Sequence, residues 1–427
     1  MKKINVIGAG LAGCEASYQL AKLGYEVHLY DTKPDSMNEA QSSKDLLAEL
    51  VCSNSFKSYL KTNASGLLKS EMESLGSLFM EAANFARIEG SDDLVVDREK
   101  FSGYITEKIR NNPNIKIISK EYTELTDEPT ILATGPLTSS ALSNSLMSVI
   151  GNSFFSFFDA ASPLLFASTM DTSKMVKGSK YKVGDENSNY LNILLNKDQY
   201  FDFVDKLLSS PKVMTHDNSH FEGCLPIEVI ASRGPNTLRF GPMSPKGITE
   251  DKDVFAVIQL RQDDAAKTLY NMVGFQTNLT YQAQKELITS LPGLENVKFA
   301  RFGLMHKNTC VNAPAVLNRN LSLKAKPNIF LAGQLSGVEG YVESAAMGLL
   351  VSFYVRDYLE GKEPGYIPLN TMLGSLVNYL VMTSPKHFAP MNATYGILYS
   401  PNKKDKERVY DESLQAIEAW KTKNVKW

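Results

Sequence analysis

The chain carries four cysteines, Cys14, Cys52, Cys224 and Cys310. One of them lies in Phe221-Glu222-Gly223-Cys224-Leu225-Pro226-Ile227-Glu228, between a glycine and a Leu-Pro pair, with an acid near either end. Glycine gives a reactant close access to the backbone and proline gives a rigid exit, so the setting suits a nucleophilic thiolate. A buried structural cysteine is the other reading of the same residues. The four thiols are widely spaced and form no C-x-x-C pair. That argues against a zinc site and a disulfide framework, so no metal is expected and the thiols are expected to be free.

A second constellation opens the chain. Gly8-Ala9-Gly10-Leu11-Ala12-Gly13 is G-x-G-x-x-G; it follows the β-rich run Ile4-Asn5-Val6-Ile7 and precedes a helix-forming stretch, 14–23, that Gly24 ends. A second strand is expected over 25–30, closing on Asp31, eighteen residues beyond Gly13. Gly8 permits the tight turn, Gly10 lets the backbone approach a pyrophosphate, and Gly13 allows close packing of helix on strand. The phosphates then meet free N–H groups at the positive helix end, and Asp31 accepts from a ribose. Strand, turn, helix, strand and terminal acid in register predict a dinucleotide site.

These residues need elements to hold them. Pro129-Thr130-Ile131-Leu132-Ala133-Thr134-Gly135-Pro136 reads as a strand ending in Thr-Gly, and Asn328-Ile329-Phe330-Leu331-Ala332-Gly333-Gln334 as one ending in Ala-Gly. Both resemble the later strands of the two-dinucleotide FAD fold, in which a glycine after the strand faces the flavin. Residues 337–348 then read as a loop entering a small-residue helix that can approach a cofactor closely. Thr134, Gly135, Gly333, Gln334 and Tyr341 therefore join the cofactor-binding set, and FAD is favoured over NAD. The stretch between these strands is too long for a loop. The expected limits are 1–140 for the first part of the FAD-binding domain, 141–299 for an inserted domain, 300–390 for its second part, and 391–427 for a C-terminal extension.

With 427 residues, 43% of them hydrophobic and 22% charged, the composition is that of an ordinary globular protein able to bury a large core. No uninterrupted apolar run approaches the ~20 residues of a membrane span. Residues 4–7 break at once into glycines instead of forming a signal peptide, and a cytoplasmic location is expected. A net charge of −2 gives no global attraction to nucleic acid, so RNA binding would need a local basic patch.

Nine segments, taken together, carry a resemblance. They are G-A-G-L-A-G, E-L-V-C-S-N-S from Glu49, G-S-L-F-M-E-A-A from Gly76, A-T-G-P-L-T-S from Ala133, F-D-A-A-S-P from Phe158, F-E-G-C-L-P-I-E, L-R-F-G-P-M from Leu238, L-Y-N-M-V-G-F-Q-T from Leu269 and G-V-E-G-Y-V-E-S-A-A from Gly337. In this order they resemble the TrmFO family, the folate- and FAD-dependent RNA (uracil-5-)-methyltransferases. The resemblance implies an α/β fold of the two-dinucleotide FAD-binding type, Rossmann-like and GidA-related, with an inserted α+β domain. It also implies a reaction in which 5,10-methylenetetrahydrofolate supplies a one-carbon unit, reduced FAD carries it, and NADH or NADPH recharges the flavin.

The uracil C5 carbon is a poor nucleophile, but a thiolate added at C6 turns the ring into an enolate. The resemblance assigns Cys224 as that nucleophile and Cys52 as an assisting residue near the flavin, with the reverse assignment open. Cys14 reads as packing, and Cys310 stands where the family more often carries tyrosine, so it is not expected to be catalytic. Glu222, Glu228, Glu339 and Glu343 are candidates for a base or for orienting the flavin, or are solvated and capping acids. Arg233, Arg239, Lys246 and Arg261 are candidates for a phosphate-binding face or are simply solvated charges, and Tyr341 is a candidate for stacking or for core. Family members that act on tRNA carry paired histidines before the L-V-C segment; here the residues are Asn38-Glu39-Ala40-Gln41-Ser42-Ser43-Lys44-Asp45. The substrate therefore stays open between the T-loop uridine of tRNA and a uridine of 23S ribosomal RNA, as in the RlmFO members. A flavin oxidoreductase or a GidA-like tRNA-modifying flavoprotein is the alternative.

Overall fold

The computed structural model describes residues 2–37, 41, 43–151, 154–213, 225–401 and 403–425. Its framework is a five-stranded parallel sheet drawn from distant parts of the chain, in the order Ile329–Leu331, Thr130–Leu132, Lys3–Ile7, Glu26–Asp31 and Ile115–Ser119. Ile4, Val6, Val27, Leu29, Ile131 and Phe330 are fully buried along it, as in a parallel sheet covered on both faces. Leu132 pairs with Ile7 on one side and Leu331 on the other, so Gly8, Thr134 and Gly333 emerge from neighbouring strand ends. Ligands of open α/β sheets bind beyond such carboxyl ends.

The first helix runs Leu11–Lys22, starting three residues earlier than the sequence reading placed it. Gly13 is drawn inside it, where a Cβ would stand 1.8 Å from the Gly8 carbonyl oxygen. Gly24, with φ +87°, follows its end as expected. The long helix Tyr341–Glu360 lies against the first, so close that a Cβ at Gly348 would be 2.3 Å from the Ala12 carbonyl oxygen.

A second, antiparallel sheet has seven strands in the order Lys182–Val183, Val176–Ser179, Tyr190–Leu195, Ala256–Gln262, Leu269–Met272, Leu164–Phe166 and Phe299–Arg301. It has its own core, in which Ile193, Ile258, Leu260 and Met272 pack with Tyr200, Phe203 and Leu207 of the helix Lys197–Ser209 and Leu287 of Tyr281–Thr289. The chain enters and leaves this α+β unit along one antiparallel ribbon, Phe154–Ala161 with Leu304–Val311.

The C-terminal helix Lys406–Asn424 returns to the helix Ala64–Ser74, burying Val409, Ile417 and Trp420. Glu71 joins them: it accepts from the Ser413 hydroxyl at 2.5 Å and from the amides of Met372 and Leu373 at 2.7 and 2.8 Å, so it also caps the helix Met372–Met382. Among the described residues no helix is long and apolar enough to cross a membrane.

Candidate active site

A cavity of about 550 Å³ opens at the carboxyl ends of the parallel strands, a size typical of ligand sites. Its wall gathers Gly8, Ala9, Gly10, Leu11, Ala12, Asp31, Cys52, Thr134, Gly135, Gly333, Gln334 and Tyr341, with Arg261 and Gln276 contributed by the inserted unit. Gly13 is the one glycine of the turn that does not face it. Cys224 and Glu222 lie outside the described residues.

The glycines differ in what forbids a side chain. At Gly8, φ is +101° and a Cβ would meet the Ala133 carbonyl oxygen at 2.6 Å; at Gly333, φ is +70° and a Cβ would be 2.9 Å from that of Ala12. Protein packing therefore fixes both. Gly10 is different, because a Cβ there has no atom of the described residues within 4 Å and would project into open space. Nothing among the described residues requires glycine at Gly10; a ligand lying on that backbone would. Asp31 ends the second strand beside the turn, its carboxylate accepting from the amides of Ala9 and Lys33, each at 2.9 Å.

Cys52 is partly exposed on the cavity wall, and its peptide is gripped from three directions. Its carbonyl accepts from Arg98 Nη2 and from Arg301 Nη2, both at 3.1 Å. Arg98 also reaches the Leu50 carbonyl, and Arg301 Nη1 the Val51 carbonyl at 2.7 Å. On the other side the Tyr341 hydroxyl accepts from the Cys52 amide at 2.6 Å. Next along the chain, Arg261 donates to Ser53 Oγ at 2.7 Å and Asn54 Oδ1 at 3.0 Å, while the Asn54 amide returns to the carbonyls of Val96, Gln262 and Asp263.

Buried guanidinium groups need compensation. Burial works against the charge of Arg98, but Asp263, bonded at 2.6 and 3.0 Å, outweighs it and holds Arg98 above its ordinary value. Arg301 is lowered, first by burial and then by the like charge of Arg98. Cys52 acts electrostatically on both arginines and on Tyr341.

The remaining candidates sort differently from the sequence expectation. Arg261 is 7% exposed and clamps Ser53 and Asn54, so it is no part of an open phosphate-binding face. Glu228 is buried, accepting from Thr277 Oγ1 at 2.8 Å and the Asn278 amide at 2.7 Å, which makes it an anchor and not a base. Glu343 is buried behind Lys57 at 3.6 Å and accepts from the Ala393 amide; Glu339 accepts from Gln334 at 2.8 Å on the cavity wall. Cys14 is packed in the core with its thiol 3.3 Å from the Ala9 carbonyl oxygen, and burial pushes its pKa up. Cys310 is buried too, pushed up to about 12, chiefly by burial. Arg98, Arg301, Asp263 and Lys57 were not singled out from the sequence, since no spacing links them to Leu50-Val51-Cys52. Among the described residues, no group of three or more His, Cys, Asp or Glu is placed to hold a metal.

Comparison with known proteins bears on this site. Residues 3–363 match the family model of glucose inhibited division protein A, GidA. Over 425 residues the chain is 43% identical to the methylenetetrahydrofolate–tRNA-(uracil-5-)-methyltransferase TrmFO of Bacillus cytotoxicus, covering 98% of this chain and 97% of that one. The similarly named protein of Anoxybacillus flavithermus is 43% identical over 429 residues, with 97% and 98% covered. Among solved structures, Aquifex aeolicus GidA superposes with a TM-score of 0.76 at 18% identity, covering 99% of this chain and 73% of that one, a likeness of fold.

Proposed function

The chain belongs to the TrmFO family of GidA-related proteins, and from that premise we propose that it is a methyltransferase acting on C5 of a uridine in tRNA. Its carbon comes from 5,10-methylenetetrahydrofolate, FAD serves as carrier and reductant, and NADH or NADPH recharges the flavin. The supporting observation is a partly exposed thiol, Cys52, rigidly held on the wall of the cavity that also carries the Gly8 and Gly10 turn. The residues fit FAD: Gly10 leaves open the space a Cβ would fill, and Asp31 is pinned beside it. Bound FAD supplies the carrier for the one-carbon unit and the hydride that completes the methyl group.

The other steps fall to this chain's own side chains. The Cys224 thiolate adds to C6 of uracil, forming an S–C6 bond and making C5 nucleophilic. Once C5 has taken the one-carbon unit, Cys52 removes the C5 proton, and the electron pair released frees the unit from its carrier as an exocyclic methylene on the ring; when hydride reduces that methylene to methyl, the S–C6 bond breaks and the thiolate returns to Cys224. With limits 1–140, 141–299, 300–390 and 391–427, the flavin is assigned to the first and third segments and the RNA-facing Cys224 segment to the second.

The test is transfer of label from methylenetetrahydrofolate to tRNA and, separately, to 23S ribosomal RNA. Label at the T-loop uridine is the expected result. The histidine-free segment 38–45 keeps a ribosomal uridine as the second reading, and label in 23S RNA alone would move the substrate there. Flavin-loaded protein that labels neither RNA would leave an oxidoreductase.

A further inference from the structure

Phe240 is the most exposed large apolar side chain among the described residues, at 78%. It is not on a loose loop. It ends the short 3-10 turn Leu238–Phe240, held by the fully buried Leu238 and Met243 on either side, and the Met243 amide closes on the Leu238 carbonyl at 2.9 Å. The preceding Arg239 is fixed by a bond from Nε to the Phe255 carbonyl at 2.9 Å, and its guanidinium lies over the rings of Phe255 and Phe240, at 4.4 and 5.5 Å. Folding has thus fixed an aromatic ring in water beside a cation, although it buries the neighbouring aromatics Tyr200 and Phe203.

The ring forms one wall of an open groove of about 600 Å³ with Leu225, Ile230, Arg233, Pro235 and Pro242. From Leu225 to Thr249 the basic residues are Arg233, Arg239 and Lys246 and the one carboxylate, Glu228, is buried and bonded to Thr277 and Asn278; the exposed acids Glu250, Asp251 and Asp253 come directly after this stretch. The groove also borders the chemistry. Leu225 is the residue after Cys224, and two residues on, the Ile227 amide donates to the Gln276 carbonyl at 2.7 Å; Gln276 lines the large cavity. One short segment therefore bridges groove and cavity.

We propose that this groove takes an unpaired nucleobase of the RNA substrate, stacked on the Phe240 ring next to the uridine that is methylated. The inference rests on the methyltransferase reading above. Single-stranded RNA is recognised by stacking of splayed bases on aromatic rings within basic surfaces, which is the chemistry shown here.

The test uses flavin-loaded protein with whichever hairpin the wild type methylates, a tRNA T-arm or a 23S fragment, and a series of that hairpin with single abasic loop positions. Phe240→Ala is expected to weaken hairpin binding roughly tenfold or more by fluorescence anisotropy. Phe240→Trp should restore it and Phe240→Leu should not, with flavin content and flavin reduction by NAD(P)H unchanged in all three. At one abasic position the difference between wild type and Phe240→Ala should vanish. Equal binding by wild type and Phe240→Ala, a difference that persists at every abasic position, or a change only in self-association would overturn the inference while leaving wild-type methylation intact. Wild type that neither binds nor methylates either hairpin removes the parent reading, and this one with it.

Discussion

The Tyr341 hydroxyl reaches the segment bearing Cys52 from 289 residues away, accepting from the Cys52 amide at 2.6 Å and from the Ser53 amide at 3.3 Å. Burial pushes the phenol's pKa up, so it stays neutral, and Phe56 holds the ring edge-on at 6.2 Å. Tyr341→Phe keeps the ring and deletes the acceptor both amides use, at a cost of about 1–3 kcal/mol. Single-turnover methyl transfer should slow by about tenfold or more, because a thiol shifted by a fraction of an ångström is a poor base. Flavin content by absorbance should stay near wild type. An unchanged rate would mean that the arginines alone fix the Cys52 peptide.

Two glycines of one turn make opposite predictions. Gly10→Val adds a side chain where the protein has open space, so thermal stability should stay close to that of wild-type apoprotein while flavin absorbance is lost. Gly13→Ala drives a Cβ to 1.8 Å from the Gly8 carbonyl oxygen, and should destabilise by about 1–3 kcal/mol or more. Denaturant melts and flavin spectra of the two purified variants check both. A fully flavin-loaded Gly10→Val would count against a dinucleotide on that backbone.

The same contrast shows what the sequence could and could not disclose. G-x-G-x-x-G, Asp31, Ala133-Thr134-Gly135 and Ala332-Gly333 were legible because each is a local pattern: a glycine forced by a turn, or an apolar run ended by one. Parallel pairing of Ile7, Leu132 and Leu331 follows from those runs. The clamp on Cys52 and the two residues after it was not legible, because Arg98, Arg261, Arg301 and Tyr341 come from four separate elements and meet only through tertiary packing. A buried arginine and a solvated one look alike in sequence, which is why Arg261 stands there as a phosphate-contact candidate or a solvated charge. Glu228 was open for the same reason, since its partners Thr277 and Asn278 lie about fifty residues on.

Lys69 supplies a pH test with a definite sign. Its amine is fully buried, donating to Ser65 Oγ at 2.6 Å and the Ser58 carbonyl at 2.9 Å, and burial, partly opposed by Glu343, pushes it from 10.5 down to about 7. Between those values the unfolded chain holds a proton that the folded chain does not. Stability from this group therefore rises with pH across that window, by at most about 1.4 kcal/mol per pH unit. In Lys69→Met the titration is gone, while the lost hydrogen bonds give an offset that does not change with pH. The variant's stability relative to wild type, from urea melts at pH 7.5 and 9, should therefore fall as pH rises. A constant difference would mean that Lys69 stays charged in the fold.

The two cysteines divide the chemistry, and a trapped adduct separates their roles. Cys224→Ser should lose methyl transfer by several orders of magnitude while still binding FAD and accepting hydride from a nicotinamide, because a hydroxyl at neutral pH is a far weaker nucleophile than a thiolate and the Gly8 and Gly10 turn is untouched. Cys52→Ala should also stop turnover, but at a later step. With RNA containing 5-fluorouracil, fluorine at C5 blocks the deprotonation that releases the thiol, so a covalent protein–RNA adduct should accumulate in wild type and in Cys52→Ala and be absent in Cys224→Ser. Peptide mapping by mass spectrometry should find the nucleotide on Cys224. Attachment at Cys52 would reverse the roles and make the arginine-flanked thiol the nucleophile. An adduct at neither residue, in protein that still methylates RNA, would remove the covalent mechanism, since addition at C6 is what makes C5 reactive.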